Sequence, residues 1–512
     1  MVSQNGIKLA AHFITNHFGT TVAKVCENLL RKGPLPLELL IRYTELNHKD
    51  VKNSLLVLIQ HNCVQPFVYL GGDDDNGSKV GIQYLALFDN IIHRLRFPKF
   101  VDIVSRELDK KCVYLLEGLL RDGRLTLKQM IDRASQGKEN SVATDVRESL
   151  RKLLNARYVE RCPAREVGVS TDSTEETTTR KRGAKAAKVF VAPKTLEQRV
   201  IEAAVPKEVI RFSLTADTGC NADRETNSDD SKMISVEVDV AEEEHTLWRA
   251  NFEEFIRYLR HKALIENVRA RMDDGAATVL SAILEAKKTA EEKVKMEYSV
   301  PLSMDIIYDE VIKTGNGRTM TMERVKDYLH QLGYPKSMVL DDHCRIDLKG
   351  IIQWARNEEV ESIVLKRYGM DAYRMFRHLS KEDMFCPTDK IAESILLEKK
   401  EAPRLLNKLW TDNYLYMERV TVPGSRQSQI SVWKVNKPQI WGLVLDEMFK
   451  AALNLSLRMA YEQERGEGVI NVHQDKFKGT QLQSYKRLKN GLLLLGSSLM
   501  KLDDALMLFH DF

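Results

Sequence analysis

Closely spaced cysteines are missing from this chain. Its seven cysteines, at positions 26, 63, 112, 162, 220, 344 and 386, are odd in number, and no two form a Cys-x-x-Cys pair. A disulfide framework and a zinc ribbon are both poor fits, and a reducing compartment is the natural setting. Aromatic residues are few, at 7%, too few for a stacking groove along the whole surface. An excess of one charge is also missing. The 77 basic and 73 acidic residues leave a net +4, which argues against a purely electrostatic, histone-like grip on nucleic acid; any DNA contact must come from local clusters. No apolar run is long enough to span a bilayer and no signal-peptide core opens the chain, so a cytosolic or nuclear protein is expected. Gly-x-Ser-x-Gly elbows and His-Glu-x-x-His helices are absent too. No catalytic residue, metal or cofactor is expected.

What is present is a repeated pattern. At 512 residues the chain needs several cores. Ile7 to Phe18 and Thr20 to Lys32 read as helices, the second stopped by Gly33-Pro34. After a short third segment, Asn47 is a natural cap for a helix whose Val51, Leu55, Leu58 and Ile59 share one face. An extended run from Cys63 to Leu70, a loop of glycines and Asp73-Asp74-Asp75, and a return strand from Val80 to Phe88 follow. Helices followed by a β-hairpin make a winged helix. The same helix, polar corner and extended run recur at Leu153 to Val159 and at Leu409 to Leu415, and less cleanly from Thr321 through Leu332 to a hairpin at Val339 to Leu348. The expected fold is mainly α with small β wings: four tandem winged-helix domains at 1–100, 101–163, 248–350 and 351–437.

Two stretches break the pattern. Residues 164–247 are rich in Ser, Thr, Asp and Glu, with a basic island of Arg180, Lys181, Arg182, Lys185 and Lys188 and an acidic tract around Asp217 to Glu244. They read as a flexible charged loop or elongated wing with one helix near Leu196 to Ala204. At 438–512, Trp441, Leu445, Met448, Ala452, Leu455 and Met459 alternate spacings of four and three, as do Tyr485, Leu488, Leu492, Leu495, Leu499, Leu502, Leu506 and Phe509. That predicts a coiled-coil helical hairpin reversing between Gln463 and Gly479.

Clusters that mimic chemistry have plainer explanations. Asp73-Asp74-Asp75 sits at a hairpin tip, and Asp341-Asp342-His343-Cys344 lies where another hairpin should reverse; adjacent side chains there do not converge on one ion. Gly315-Asn316-Gly317-Arg318 lacks the Gly-Lys-Ser/Thr element of a phosphate loop. DNA-binding candidates are the polar residues off the apolar helix faces: Lys49, Lys52 and Asn53 in the first unit, and Arg147, Arg151 and Lys152 in the second, beside the stripe Val146, Leu150, Leu153 and Leu154. A solvated face is the plainer account of the same charges. The basic island is either a nuclear signal or a DNA tether.

Leu247-Trp248-Arg249-Ala250-Asn251-Phe252-Glu253-Glu254-Phe255, continuing through Arg257-Tyr258-Leu259-Arg260 to Val268-Arg269-Ala270-Arg271-Met272-Asp273, resembles the central signature of a known family, the third-largest, winged-helix subunit of DNA-directed RNA polymerase III. Leu9 to Phe18, Leu95-Arg96-Phe97-Pro98-Lys99-Phe100 and Val364-Leu365-Lys366-Arg367-Tyr368-Gly369 are similar to it as well. Periodicity alone places Trp248, Phe252, Phe255 and Leu259 on one helical face, as core. The resemblance implies a non-catalytic nuclear subunit that acts in initiation and promoter opening. Its partners would be the other polymerase III subunits, including a polymerase-III-specific heterotrimer, and single-stranded promoter DNA. A free-standing winged-helix regulator and a purely protein-docking scaffold are the alternatives.

Overall fold

The computed structural model describes residues 2–70, 81–135, 141–163, 168–170, 194–206, 208–214, 246–286, 294–333, 344–398, 400–421, 429–470 and 480–512. They divide into two compact units, Met1–Phe255 and Ile256–Phe512.

The first unit opens with α1 (Gln4–Phe18), capped by the Ser3 hydroxyl, and α2 (Thr20–Lys32). Gly19 joins them at φ 89°, a value that a β-carbon resists. β1 (Leu35–Pro36), α3 (Leu37–Thr44), α4 (His48–Gln60), β2 (Val64–Leu70) and β3 (Gly81–Ala86) complete a helical layer with a wing. α5 (Phe88–His93), α6 (Phe97–Glu107), α7 (Lys110–Asp122), β4 (Leu125–Thr126), α8 (Leu127–Ala134), α9 (Ser141–Asn155) and β5 (Val159–Arg161) repeat the scheme. Then come β6 (Gly168–Ser170), α10 (Leu196–Ala204), α11 (Glu208–Arg211) and β7 (Leu247–Ala250). α12 (Phe252–Arg271) spans the division between the units.

The second unit continues with α13 (Asp274–Ala286), α14 (Met304–Lys313), α15 (Met322–Gln331), α16 (Leu348–Tyr368), α17 (Met370–Glu382), β8 (Cys386–Pro387), α18 (Thr388–Ser394), α19 (Glu401–Thr411), β9 (Tyr416–Thr421) and β10 (Gln429–Lys434). Two long helices end it, α20 (Lys437–Ile470) and α21 (Thr480–His510), packed against each other. Val444, Met448 and Phe509 join them to a core with Phe376, Leu406, Tyr414 and Trp433.

Three sheets share one topology. Their shared antiparallel strand orders are β1-β3-β2, β4-β7-β5 and β8-β10-β9, and the first sheet adds β6 as a fourth, parallel strand beside β2. In each, the middle strand sets an aromatic residue opposite a buried one: Tyr84 opposite Leu35, Trp248 opposite Leu125, Trp433 opposite Cys386. The polar corners after α4, α9 and α19 are also one structure. Asn62, Arg157 and Asn413 have φ 57°, 61° and 63°. The next residue's N–H reaches back to a helix carbonyl, Cys63 to Leu58, Tyr158 to Leu153 and Tyr414 to Leu409, at 2.8–2.9 Å. That is the left-handed turn that satisfies the last helical carbonyls. After α15 the matching residue is Gly333, φ 97°.

Several expectations change. Trp248 does not share a helical face with Phe252 and Phe255; it lies on β7, and the helix starts at Phe252. Phe255 does fill the core, stacked between Phe100 and Tyr158 at centroid distances of 4.5 and 4.7 Å. The helix expected near Leu196 to Ala204 is α10, yet the charged stretch around it is not merely a loop. β6 pairs in parallel with β2, and α10 packs Val200 and Ala204 on Phe67 and Leu85. Arg211 bonds to Glu160 and Glu253, while Phe212 lies under the Arg157 and Arg211 guanidinium groups. This stretch therefore straps two wings together. The loop expected from Gln463 to Gly479 starts later, because α20 continues through Gly466 and Gly468 to Ile470. Gly466 sits in the helix pair, where an added β-carbon would meet the Leu488 side chain and make it shift. Of the hairpin expected at Val339 to Leu348, Cys344 and Asp347 bridge to Leu302 and Tyr298; residues 339–343, Asp341, Asp342 and His343 among them, lie outside the described residues.

Candidate nucleic-acid interface

α4 presents the first candidate surface. Val51, Ser54, Leu55 and Leu58 are buried, which fixes its rotation and leaves Lys49, Lys52 and Asn53 exposed. Asn47 precedes the helix but makes no capping bond with its side chain. Leu56, 64% exposed, interrupts the polar face, a feature that periodicity did not flag. Gln60, also polar, has a structural task. Its Nε2 donates to Asp122 O (2.9 Å) and Arg124 O (2.6 Å), and Arg124 N donates to Gln60 O (3.0 Å). Arg124 Nε donates to Asn62 Oδ1 at 2.9 Å. Between these bonds lies Gly123, φ 80°, where a β-carbon would collide with Gln60 O. The end of α4 is thereby bound to the α7–β4 turn.

α9 presents the second surface. Val146, Leu150, Leu153 and Leu154 are buried as their spacing predicts, and Arg147 and Arg151 are exposed. Lys152 differs. Its ammonium lies 2.9 Å from Asp109 Oδ2 and 3.0 Å from Glu148 Oε1. The hydrogen bonds that Lys152 donates to Asp109 and then to Glu148 raise the Lys152 pKa above its usual range, while the Lys152 bond and the Cys112 amide hold the Asp109 carboxyl well below its own. Sequence spacing could not show this, because Asp109 lies on the residue before a different helix. Among the described residues, Lys49, Lys52, Arg147 and Arg151 have no ion-pair partner. On α19 the exposed Arg404, Asn407 and Lys408 occupy the corresponding outer face and were missed; the corner after that helix was the available signal. Arg180, Lys181, Arg182, Lys185 and Lys188 lie outside the described residues, as do Asp73, Asp74 and Asp75.

A cluster at the end of α1 and α4 supports the joint. The Phe18 ring lies tilted against His61 with centroids 4.5 Å apart, and Arg94 lies over Phe18 and Phe97 at 4.7 and 5.3 Å. Burial, with Arg94 and His17 adding like charge, lowers His61 to a pKa of about 4.

Comparison with known proteins matches three family models. The RNA polymerase III subunit RPC82 helix-turn-helix domain matches residues 8–69, RNA polymerase III subunit RPC82 matches residues 148–364, and the POLR3C C-terminal winged-helix domain matches residues 360–433. The chain belongs to the RNA polymerase III subunit RPC82 family. Among RPC82-family relatives, the human DNA-directed RNA polymerase III subunit RPC3 is 21% identical over 497 residues, covering 92% of this chain and 87% of the relative. The mouse protein of that name is 22% identical over the same shares. The Dictyostelium discoideum subunit rpc3 is 30% identical over 176 residues, 30% of this chain and 26% of the relative. In RPC82-family terms, α4 lies in the helix-turn-helix match, most of α9 lies in the central match, and α19, β9 and part of β10 lie in the C-terminal winged helix.

Proposed function

We propose that this chain, a non-catalytic subunit of DNA-directed RNA polymerase III, works in the nucleus at initiation, holding opened promoter DNA on α4 and α9 while other faces dock its partner subunits. In this reading it carries four winged-helix units and a coiled-coil hairpin, and it sits with two partners in a polymerase-III-specific heterotrimer. Family membership supports the assembly. The observation that carries the DNA contact is the set of four cations unpaired among the described residues, Lys49, Lys52, Arg147 and Arg151, on two helices whose units are bound at Gln60 and Arg124. Cations held at fixed spacing meet phosphates without first losing freedom. The basic island would add a tether.

The test is salt-dependent binding of the full chain to single- and double-stranded DNA. Four phosphate contacts predict a slope of log affinity against log salt of about −3 on single strands. Replacing all four cations with alanine should flatten it. An unchanged slope would remove these helices from the interface, and the exposed Leu56 on α4 then favours protein docking there.

A further inference from the structure

The three matching sheets differ in what covers their outer face, the one opposite Tyr84, Trp248 and Trp433. In the first, that face carries Phe67 and Leu85, which α10 buries to 1% and 4% exposure. In the second it carries Glu160 and Arg249, which pair with each other beneath Arg211 of α11. In the third it carries Tyr416, Glu418 and Val420 on β9 and Ile430, Val432 and Lys434 on β10, aligned across the strands, with Phe385 beside Tyr416 at a ring distance of 6.1 Å. Here Phe385 is 43% exposed, Tyr416 50%, Val420 47% and Ile430 41%. Among the described residues β9 also ends its sheet, whereas the equivalent edge of β2 is paired with β6. β-branched and aromatic side chains on a solvent face, beside an unpaired edge, mark a surface that is normally covered.

We infer that this face of the C-terminal winged helix seats an amphipathic helix from another polymerase subunit. Its aliphatic residues would lie one turn apart, as Val200 and Ala204 do on α10, and a lysine or arginine would meet Glu418. The inference rests on the subunit reading above. Two observations specify the occupant. The same face is covered by helices of this chain in both other sheets. Lys434 is already satisfied, 3.7 Å from Asp383 and over the Phe385 ring at 5.9 Å, while Glu418 has no partner among the described residues. A bare carboxylate amid apolar residues repels phosphate, and two copies of this chain meeting face to face would bury two unpaired carboxylates.

Amide exchange would be measured on the full chain, free and incorporated into the polymerase with its other subunits. Strands 416–421 and 429–434 should exchange at least tenfold more slowly in the assembly. V420D/I430D and, separately, E418K should remove that protection and weaken incorporation at least tenfold. All three positions are exposed, and near-native circular dichroism and thermal unfolding of the free variants would establish that they fold. Equal exchange in the free and incorporated chain overturns the proposal. So does protection by DNA alone, or a free chain that dimerises through V420D-sensitive contacts. A chain that does not join the polymerase at all sinks the subunit reading and this one together, whereas incorporation without protection removes only the docking face.

Discussion

At the residue scale, neighbouring groups decide what a charge can do. Lys152 lies on the same helix as Arg147 and Arg151, but its two carboxylate partners already neutralise it. K152A should therefore leave DNA affinity within about twofold, as removal of an exposed, paired charge does. R147A/R151A should shift the salt slope by about 1.4 on single strands, at roughly 0.7 per phosphate contact. Equal effects from both variants would refute the assignment. His61 gives a pH signature. Its folded pKa of about 4 lies below the ordinary 6.5, so the native state excludes a proton that the unfolded chain binds. Its contribution is complete above pH 6.5 and is lost as the pH falls toward 4. Discounted for partial exposure, the loss is on the order of 1–2 kcal/mol. Chemical denaturation of H61Q between pH 7 and 4.5 should show a shallower decline than the parent, and parallel curves would show that the cluster does not exclude the proton.

At the element scale, the joint between α4 and the α7–β4 turn depends on a residue without a side chain. G123A places a β-carbon against Gln60 O at a positive φ, and should destabilise the first unit by about 2–4 kcal/mol. Thermal unfolding measures this; a shift below about 2 °C would mean the turn can rearrange. Elements with strong local signals were legible in the sequence. The stripes of α4 and α9, the helix at Leu196 to Ala204 and the corners at Asn62, Arg157 and Asn413 could be read because each depends on residues a few positions apart. The strand holding Trp248 was not, since its partners Leu125 and Arg161 are remote in sequence and its alternation is only four residues long. Gly466 misled for the opposite reason. Glycine signals a turn in isolation, yet here it makes room for Leu488 inside a helix pair. The candidate site was half legible: spacing identified which side chains leave the core, but not that Asp109 engages Lys152 or that Gln60 is committed to a joint.

On the scale of the whole molecule, near-neutral charge and a repeated wing fit a subunit whose surfaces divide between nucleic acid and protein. The middle strand of the second sheet is supplied by β7, which follows the long insertion after β5. A chain ending at residue 163 should thus show protected amides in α1, α2 and α4 but fast exchange in α8 and β5; native-like protection throughout would show that β7 is dispensable. The same strand order sets a schedule for biosynthesis. The three antiparallel strands of the first sheet are complete once Ala86 clears the ribosome, although α10 covers Phe67 and Leu85 only later, whereas the second sheet must wait, with the Leu125 edge and the Tyr158 ring open, until Ala250 and then Phe255 have been made. During that interval at roughly 5–20 residues per second, some seconds of exposed apolar surface precede closure, so the nascent chain, more than the finished one, is the form that needs a chaperone.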